Sequence, residues 1–520
     1  MESIVRDTLL PSLVLVALSL SGAALAGCYS TSNDCNLFDC GERGAGGGTT
    51  TGTGTGGTGG TGGTPVECVP SEATGPVAGG CGVFVSTSGD DSALGTKEKP
   101  LRTLAAAITK AKDGGGRVYA CAQTFTEALT VEAGVTMFGG LDCAAAWEYI
   151  GTTTRTTWTA AADEVPVRIP ADVSLVMEDV DVTALDATLP GGSSVAVIAD
   201  GNASLVLTRS DVNAGVGAPG AAGDSFPTTA ADGSVGSTGV DACTTAQAIT
   251  MPAPVNRCGD IDSAGGSGGI SETVQGSSGN AGLPQLSDNG GAGEVAAACK
   301  LGTIGENGMN GDPGLGASGV GTIGVTGYAG IPGGAGTAGA TAQGGGGGGG
   351  SKGGTGTGKC TDATKAAGAS GGSGGSGGCG GLGGNGGAPG GSSIGIISLG
   401  ATLTFDDVKI VTKKGGDGGA GGDGQIGGAG APGGNGGMVP MAATMLKQGC
   451  KGGTGGTGGN GGKGGGGLGG HSIGVAHNGV EPVMMGAVVS IAPGGKGGLG
   501  TEGIDTTNGK DGVSAQVQEL

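Results

Sequence analysis

Apolar residues in this chain come in short islands separated by glycine. One island, residues 390–412, reads GGSSIGIISLGATLTFDDVKIVT. A six-residue apolar run is followed by two stretches in which Leu403, Phe405 and Ile410 alternate with polar residues, which predicts short β-strands. Residues 191–215 repeat the pattern: Val195 and Val197 correspond to Ile394 and Ile396, and Leu205, Leu207 and Val212 to Leu403, Phe405 and Ile410. A third copy starts at Gly469, with Ile473 and Val475 in the same places, and SLVMEDVDVTA (174–184) parallels SLVLTRSDVNA (204–214). One copy is too short to bury its apolar side alone, so the copies are expected to stack into one body. Separate small domains on linkers are the alternative.

Earlier in the chain the period changes. Strand patterns at 83–85, 117–121, 128–132 and 135–138 flank a helical stripe of Leu101, Leu104, Ala105, Ile108 and Ala111. Pro100 is expected to open that helix and Asp113-Gly114-Gly115-Gly116 to stop it. Phe84, Tyr119, Phe125, Phe138, Trp147, Tyr149 and Trp158 crowd this region, which places the conventional core there.

The succession GDD…GT…PLRTL…A…I…A followed by TFTEALTV resembles the N-terminal cap of the pectin-lyase-like right-handed parallel β-helix. The resemblance implies an all-β, right-handed parallel β-helix whose first coil is covered by an amphipathic helix; the repeated islands then make the glycine-rich tracts insertions between later coils. The expected segments are a signal peptide (1–27), a lipidated Cys and tether (28–66), cap and first coils (67–214), an insertion (215–391), a coil (392–413), a second insertion (414–470) and a last coil with the C-terminal segment (471–520).

Gly supplies 132 of 520 residues, and glycine has almost no side chain to bury and loses the most entropy on ordering. Tracts 371–387, 415–424 and 452–465 repeat Gly-Gly-X. In an extended helix of three residues per turn every X falls on one edge, leaving two bare edges where backbones can approach. These tracts resemble PGRS-type repeats. An ordered polyglycine-II-like bundle, stapled by Cys360, Cys379 or Cys450, and plain disorder both remain open at this point. A Gly-X-Y register at Gly305, Gly308, Gly311 and Gly314 suits collagen, but only 20 prolines argue against a triple helix.

Residues 1–28 combine Arg6, an apolar run and small residues before Cys28, a secretory signal. Leu25-Ala26-Gly27-Cys28 resembles the bacterial lipobox, which implies acylation of Cys28, a membrane partner reached through the lipid, and an outer-membrane or cell-surface address. The Gly/Thr tract 46–64 is expected to be a flexible tether of about 25 Å. Twelve further cysteines in an exported chain imply disulfides, with Cys35–Cys40, Cys68–Cys81 and Cys121–Cys143 as local candidates. No C-x₂-C pair is present and His471 and His477 are the only histidines, so no metal and no cofactor is expected.

The net charge of −20 offers no basic footprint for nucleic acid. Asp179 and Asp181, two apart on an expected strand, are the weak catalytic candidates; Asp406 and Asp407 are adjacent and expected to diverge. Arg168 and Arg209 are expected to be the only arginines near these coils, and His471 is expected at a surface turn. The resulting expectation is a non-catalytic surface lipoprotein, a structural, adhesive or interaction scaffold contacting polysaccharide or another surface matrix. The alternative is a carbohydrate-active protein, a polysaccharide lyase or glycoside hydrolase.

Overall fold

Parallel strands dominate the molecule. The computed structural model describes residues 66–112, 116–247 and 249–520. The signal segment, Cys28, the tether, the Cys35–Cys40 pair and the run 113–115 lie outside them. Among the described residues there is one α-helix, Leu104–Ala111, and three short 3-10 turns.

Sheet one contains Val83–Val85, Arg117–Cys121, Val135–Asp142, Ser174–Glu178, Ser204–Thr208 and Thr402–Asp406 in that order, with Glu148–Tyr149 antiparallel at one side. Sheet two contains Thr124–Thr126, Thr156–Thr159, Val180–Thr183, Asp211–Asn213, Val408–Val411 and Ala487–Ser490. Sheet three contains Leu129–Thr130, Val167–Ile169, Ser194–Ala199, Ser393–Ser398, Ser472–His477 and Ser514–Glu519. The chain visits the sheets in turn, and each pass lays its strands beside those of the pass before.

The register matches the sequence copies residue by residue. Val195 pairs with Ile394 and Val197 with Ile396 across nearly 200 residues of chain, and Ile473 and Val475 follow. Leu205, Leu207 and Val212 pair with Leu403, Phe405 and Ile410. Ser194–Ala199, Ser393–Ser398 and Ser472–His477 of sheet three are buried along their whole length because both faces are covered, as is general for buried parallel sheets. Val197, Ile396 and Val475 join the interior with Leu205, Leu207, Phe405 and Ile410. Ile198, Ile394, Ile397 and Ile473 form a second cluster outside, covered by Ile323 and Tyr328 of the hairpin Thr322–Gly324/Gly327–Ala329. Each fully buried Val, Ile or Leu contributes about 1.5–3 kcal/mol.

The helix closes the interior at the first pass, burying Leu104, Ala107, Ile108 and Ala111. It starts later than Pro100 predicts, because Leu101 is drawn into a β-bridge with Val85 and Thr103 becomes the N-cap, accepting from Ala106 N at 3.2 Å. Ala105 therefore leaves the buried stripe and Ala107 enters it. Glu127, between sheets two and three, accepts from Leu104 N and Ala105 N at 2.7 and 3.0 Å, which satisfies two of the unpaired donors at the helix start. Outside sheet one, Phe84, Tyr119 and Phe138 stack at 5.1 and 5.3 Å beneath Trp147. The disulfides Cys68–Cys81 and Cys121–Cys143 border this cluster.

Long glycine-rich segments leave after sheet two and return at sheet three. They run side by side and exchange backbone hydrogen bonds every third residue. Ser370 N, Gly371 N and Gly372 N donate to three different segments, at Val240 O, Gly269 O and Cys450 O, over 2.8–3.0 Å. In Gly344–Gly350 seven consecutive N–H groups do the same, and all seven residues are buried. A Cβ added at Gly345, Gly347 or Gly349 would sit 2.0–2.1 Å from a neighbour's carbonyl oxygen. Glycine content therefore tracks the number of neighbours. In Gly344–Gly350, with packed backbone on every edge, the triplet is Gly-Gly-Gly. In 451–463 Lys451, Thr454, Thr457 and Asn460 are exposed while the glycines between them are buried. The Gly-X-Y run is an outer segment whose Gly305, Gly308, Gly311 and Gly314 face inward, donating to Thr454, Thr457, Asn460 and Lys463 carbonyls. In 370–378 the buried X is a serine: Ser370, Ser373 and Ser376 Oγ accept from Val240, Ser237 and Ser234 N at 2.7 Å. Cys243–Cys360, Cys258–Cys379 and Cys299–Cys450 tie the segments together.

Gly347→Ala forces backbone apart and is expected to cost about 3 kcal/mol. Thr457→Ala, on an exposed edge, is expected to stay within about 0.5 kcal/mol. Thermal unfolding of the two variants measures the difference.

Candidate functional site

The corner between sheets one and two gathers a cluster of charged residues. The chain turns there through a left-handed residue in successive passes: Asp179 (φ 58°), Arg209 (φ 46°) and Asp407 (φ 51°), followed by Gly486 (φ 83°). Asp, Asn and Gly tolerate this backbone best. Arg155 occupies the corresponding place one pass earlier, since Thr156 pairs with Val180. The column thus alternates in sign, Arg155, Asp179, Arg209, Asp407, as stacked passes with short spacing favour.

Asp179 does not share a strand face with Asp181. The strand breaks at Asp179, whose left-handed turn swings its carboxylate away from Asp181 and into the molecule, where it is 1% exposed. Arg209 grips it through Nη2 at 3.0 Å and Nε at 3.3 Å, and the Tyr149 hydroxyl donates to it at 2.9 Å. Glu178 completes the group, bound by Arg209 and Ser71. Asp181 accepts from Arg155 at 3.2 Å and from Asp211 N at 2.8 Å, and Arg155 also reaches Asp211 at 3.0 Å. Burial raises the Asp181 pKa from its ordinary value, against the Asp211 N–H and Arg155, which lower it. Burial and the bond to Asp179 push the Tyr149 hydroxyl up.

Both candidate carboxylates are therefore occupied by donors from the protein's own strands. That arrangement is suited to fixing a corner; general acid–base work needs a carboxyl within reach of a substrate proton. Arg155 is the member that strand-by-strand reading missed. Its signal was positional: it falls in the same place of its pass as Asp179 and Arg209. Arg168 is elsewhere, on sheet three, donating to Val325 O of the hairpin turn. Among the described residues no group of three or more His, Cys, Asp or Glu side chains is placed to hold a metal.

His471 overturns the expectation of a surface turn. It is fully buried where sheet three meets the glycine segments. Ser193 Oγ accepts from Ser392 N, Ser392 Oγ from His471 N, and His471 Nδ1 from Val513 N, each at 2.8 Å. One column of side chains thus ties the returning segments of four passes together. With Nδ1 accepting, Nε2 carries the proton and donates to Val320 O at 2.7 Å. Tyr328 packs edge-on against the ring. Burial holds the His471 pKa below its ordinary value of 6.5.

No protein-family model matches the chain, and no curated protein matches it. Among solved structures, a rhamnogalacturonan lyase aligns over 26% of this chain and 36% of its own length, at 16% identity and a TM-score of 0.21. At that score the likeness informs neither fold nor activity.

Asp179→Asn removes the charge that Arg209 and Tyr149 enclose. Because the Arg209 side chain is 29% exposed and can rehydrate, the expected loss is about 2 kcal/mol, below the range for a fully buried pair. Asp407→Asn at the exposed corner is expected to cost under about 0.5 kcal/mol. Denaturant melts compare them.

His471 gives a pH dependence of definite sign. Below 6.5 and above the lowered folded value the unfolded chain binds a proton that the folded chain does not, so stability falls as pH drops through that window. Melting temperatures between pH 7.5 and 5 are expected to fall more steeply in the native protein than in His471→Asn, which keeps an acceptor for Val513 N.

Proposed function

We propose that the three sheets form a right-handed parallel β-helix closed by its capping helix, and that the glycine-rich insertions form a polyglycine-II-like bundle growing from one corner of it. On this reading the protein is an exported bacterial lipoprotein, acylated at Cys28 and held off the outer membrane or cell surface by its Gly/Thr tether. It acts as a non-catalytic scaffold with structural, adhesive or interaction roles toward polysaccharide or another surface matrix.

The observation that carries the scaffold reading is the internal engagement of the carboxylates. Asp179 and Asp181 are bound by Arg209, Tyr149, Arg155 and a backbone N–H. The bundle glycines are likewise engaged by neighbouring backbone, so any partner meets the X side chains and not bare glycine. A row of X residues recurs about every 9 Å along an extended helix of three residues per turn, a spacing suited to repeated weak contacts.

Incubation of the protein with polygalacturonate and other acidic polysaccharides, monitored for unsaturated products and new reducing ends, is expected to show no turnover. Product formation that Asp179→Asn or Asp181→Asn abolishes in a folded variant would refute the scaffold reading and favour a polysaccharide lyase or hydrolase.

A further inference from the structure

The far end of the glycine array gathers three exposed methionines in one turn, beside lysines. Segments 370–391 and 449–470 run outward from sheet three, and at about 3.1 Å per residue their ends stand about 65 Å away. The turn 438–451 connects two such segments there and reads MVPMAATMLKQGCK. Met438, Met441 and Met445 are 62%, 100% and 63% exposed. Nearer the sheets the same segments present Asp417, Asp423, Thr454, Thr457 and Asn460, with Leu382 and Ile426 exposed singly among them.

The exposed methionines belong to a held turn. Ala443 and Leu446 are buried against Cys360 and Ala369, Met445 N donates to Gly358 O at 2.7 Å, and Cys243–Cys360 and Cys299–Cys450 fasten the neighbouring turns. The apolar side chains are thus placed outward by a cross-linked base. Charge changes at the same place. Residues 438–451 carry Lys447 and Lys451 and no acid, and residues 351–369 carry Lys352, Lys359 and Lys365 against Asp362 alone, in a chain of net charge −20. Two nearby acids are already engaged: Glu294 is buried against Lys447 and Lys352, and Asp241 accepts from Met438 N at 2.7 Å.

We propose that this methionine and lysine tip docks on an anionic lipid surface, with Met438, Met441 and Met445 entering the headgroup boundary and Lys359, Lys365 and Lys451 facing the lipid phosphates. Flexible thioether side chains fit an irregular apolar boundary. A small apolar patch flanked by lysines gains from both burial and the negative surface potential. The acidic remainder of the molecule is repelled by the same surface, which orients the arm tip-first. The proposal does not depend on acylation of Cys28.

The test uses the full chain carrying Cys28→Ser, so that an attached lipid does not contribute, with co-sedimentation on phosphatidylcholine vesicles with and without phosphatidylglycerol. Binding at least tenfold tighter to the anionic vesicles is expected. Met438→Ser/Met441→Ser/Met445→Ser and, separately, Lys365→Glu/Lys451→Glu are each expected to weaken it at least tenfold with the melting temperature unchanged. Equal binding to neutral and anionic vesicles, or binding indifferent to the methionine variant, would overturn the proposal. Binding of polygalacturonate that needs the lysines but not the methionines, without vesicle binding, would overturn it in favour of an anionic glycan.

Discussion

Everything in this molecule depends on backbones approaching closely enough for N–H groups to reach carbonyls on neighbouring segments. In the sheets this happens in the ordinary way, with apolar side chains projecting to either side. In the glycine array it happens without side chains, because at Gly347 even a methyl group would lie 2.0 Å from the Ser267 carbonyl oxygen. Burial of apolar surface and mutual satisfaction of backbone groups thus divide the chain between them. A residue in the array must recover its ordering entropy from hydrogen bonds and close contact alone, which is why disulfides crossing 117, 121 and 151 residues of chain recur there.

The two regions are in register with each other. Gly391 continues into Ser393–Ser398 and Gly470 into Ser472–His477, and a Cβ at Gly470 would lie 1.8 Å from Gly391 O. The spacing between passes of strand is therefore also the spacing between glycine segments at their base. Ser193, Ser392 and His471 stand at this junction and each takes the N–H of the next pass. The column fixes where each excursion re-enters the sheets.

Much of the strand region was legible in the sequence. The pairings of Val197 with Ile396 and Leu207 with Phe405 follow from matching apolar positions, since a slip of one residue would turn every side chain to the wrong face. What was not legible depended on corners and on neighbours distant in sequence. Asp179 looked like part of one continuous strand because nothing local marks a left-handed turn in Glu-Asp-Val. His471 looked exposed because its polar relatives are serines, yet Ser392 is buried as well and Ser193 is half-buried. The glycine tracts were ambiguous for a further reason. Gly-X-Y, Gly-Gly-X and Gly-Gly-Gly differ by how many neighbours a segment has, and that number is a property of the assembled array.

The account joins a carboxylate corner that holds the fold, a glycine array packed on itself, and a surface composed of X residues. Its central claim is that the glycine segments are ordered by hydrogen bonds to one another, and amide hydrogen exchange tests this most directly. Exchange in Gly344–Gly350 and in residues 370–378 is predicted to be as slow as in the strand Ser393–Ser398, because all three are buried and bonded in the same manner. Exchange in the glycine segments at the rate of an unstructured chain, with the strand still protected, would contradict the account.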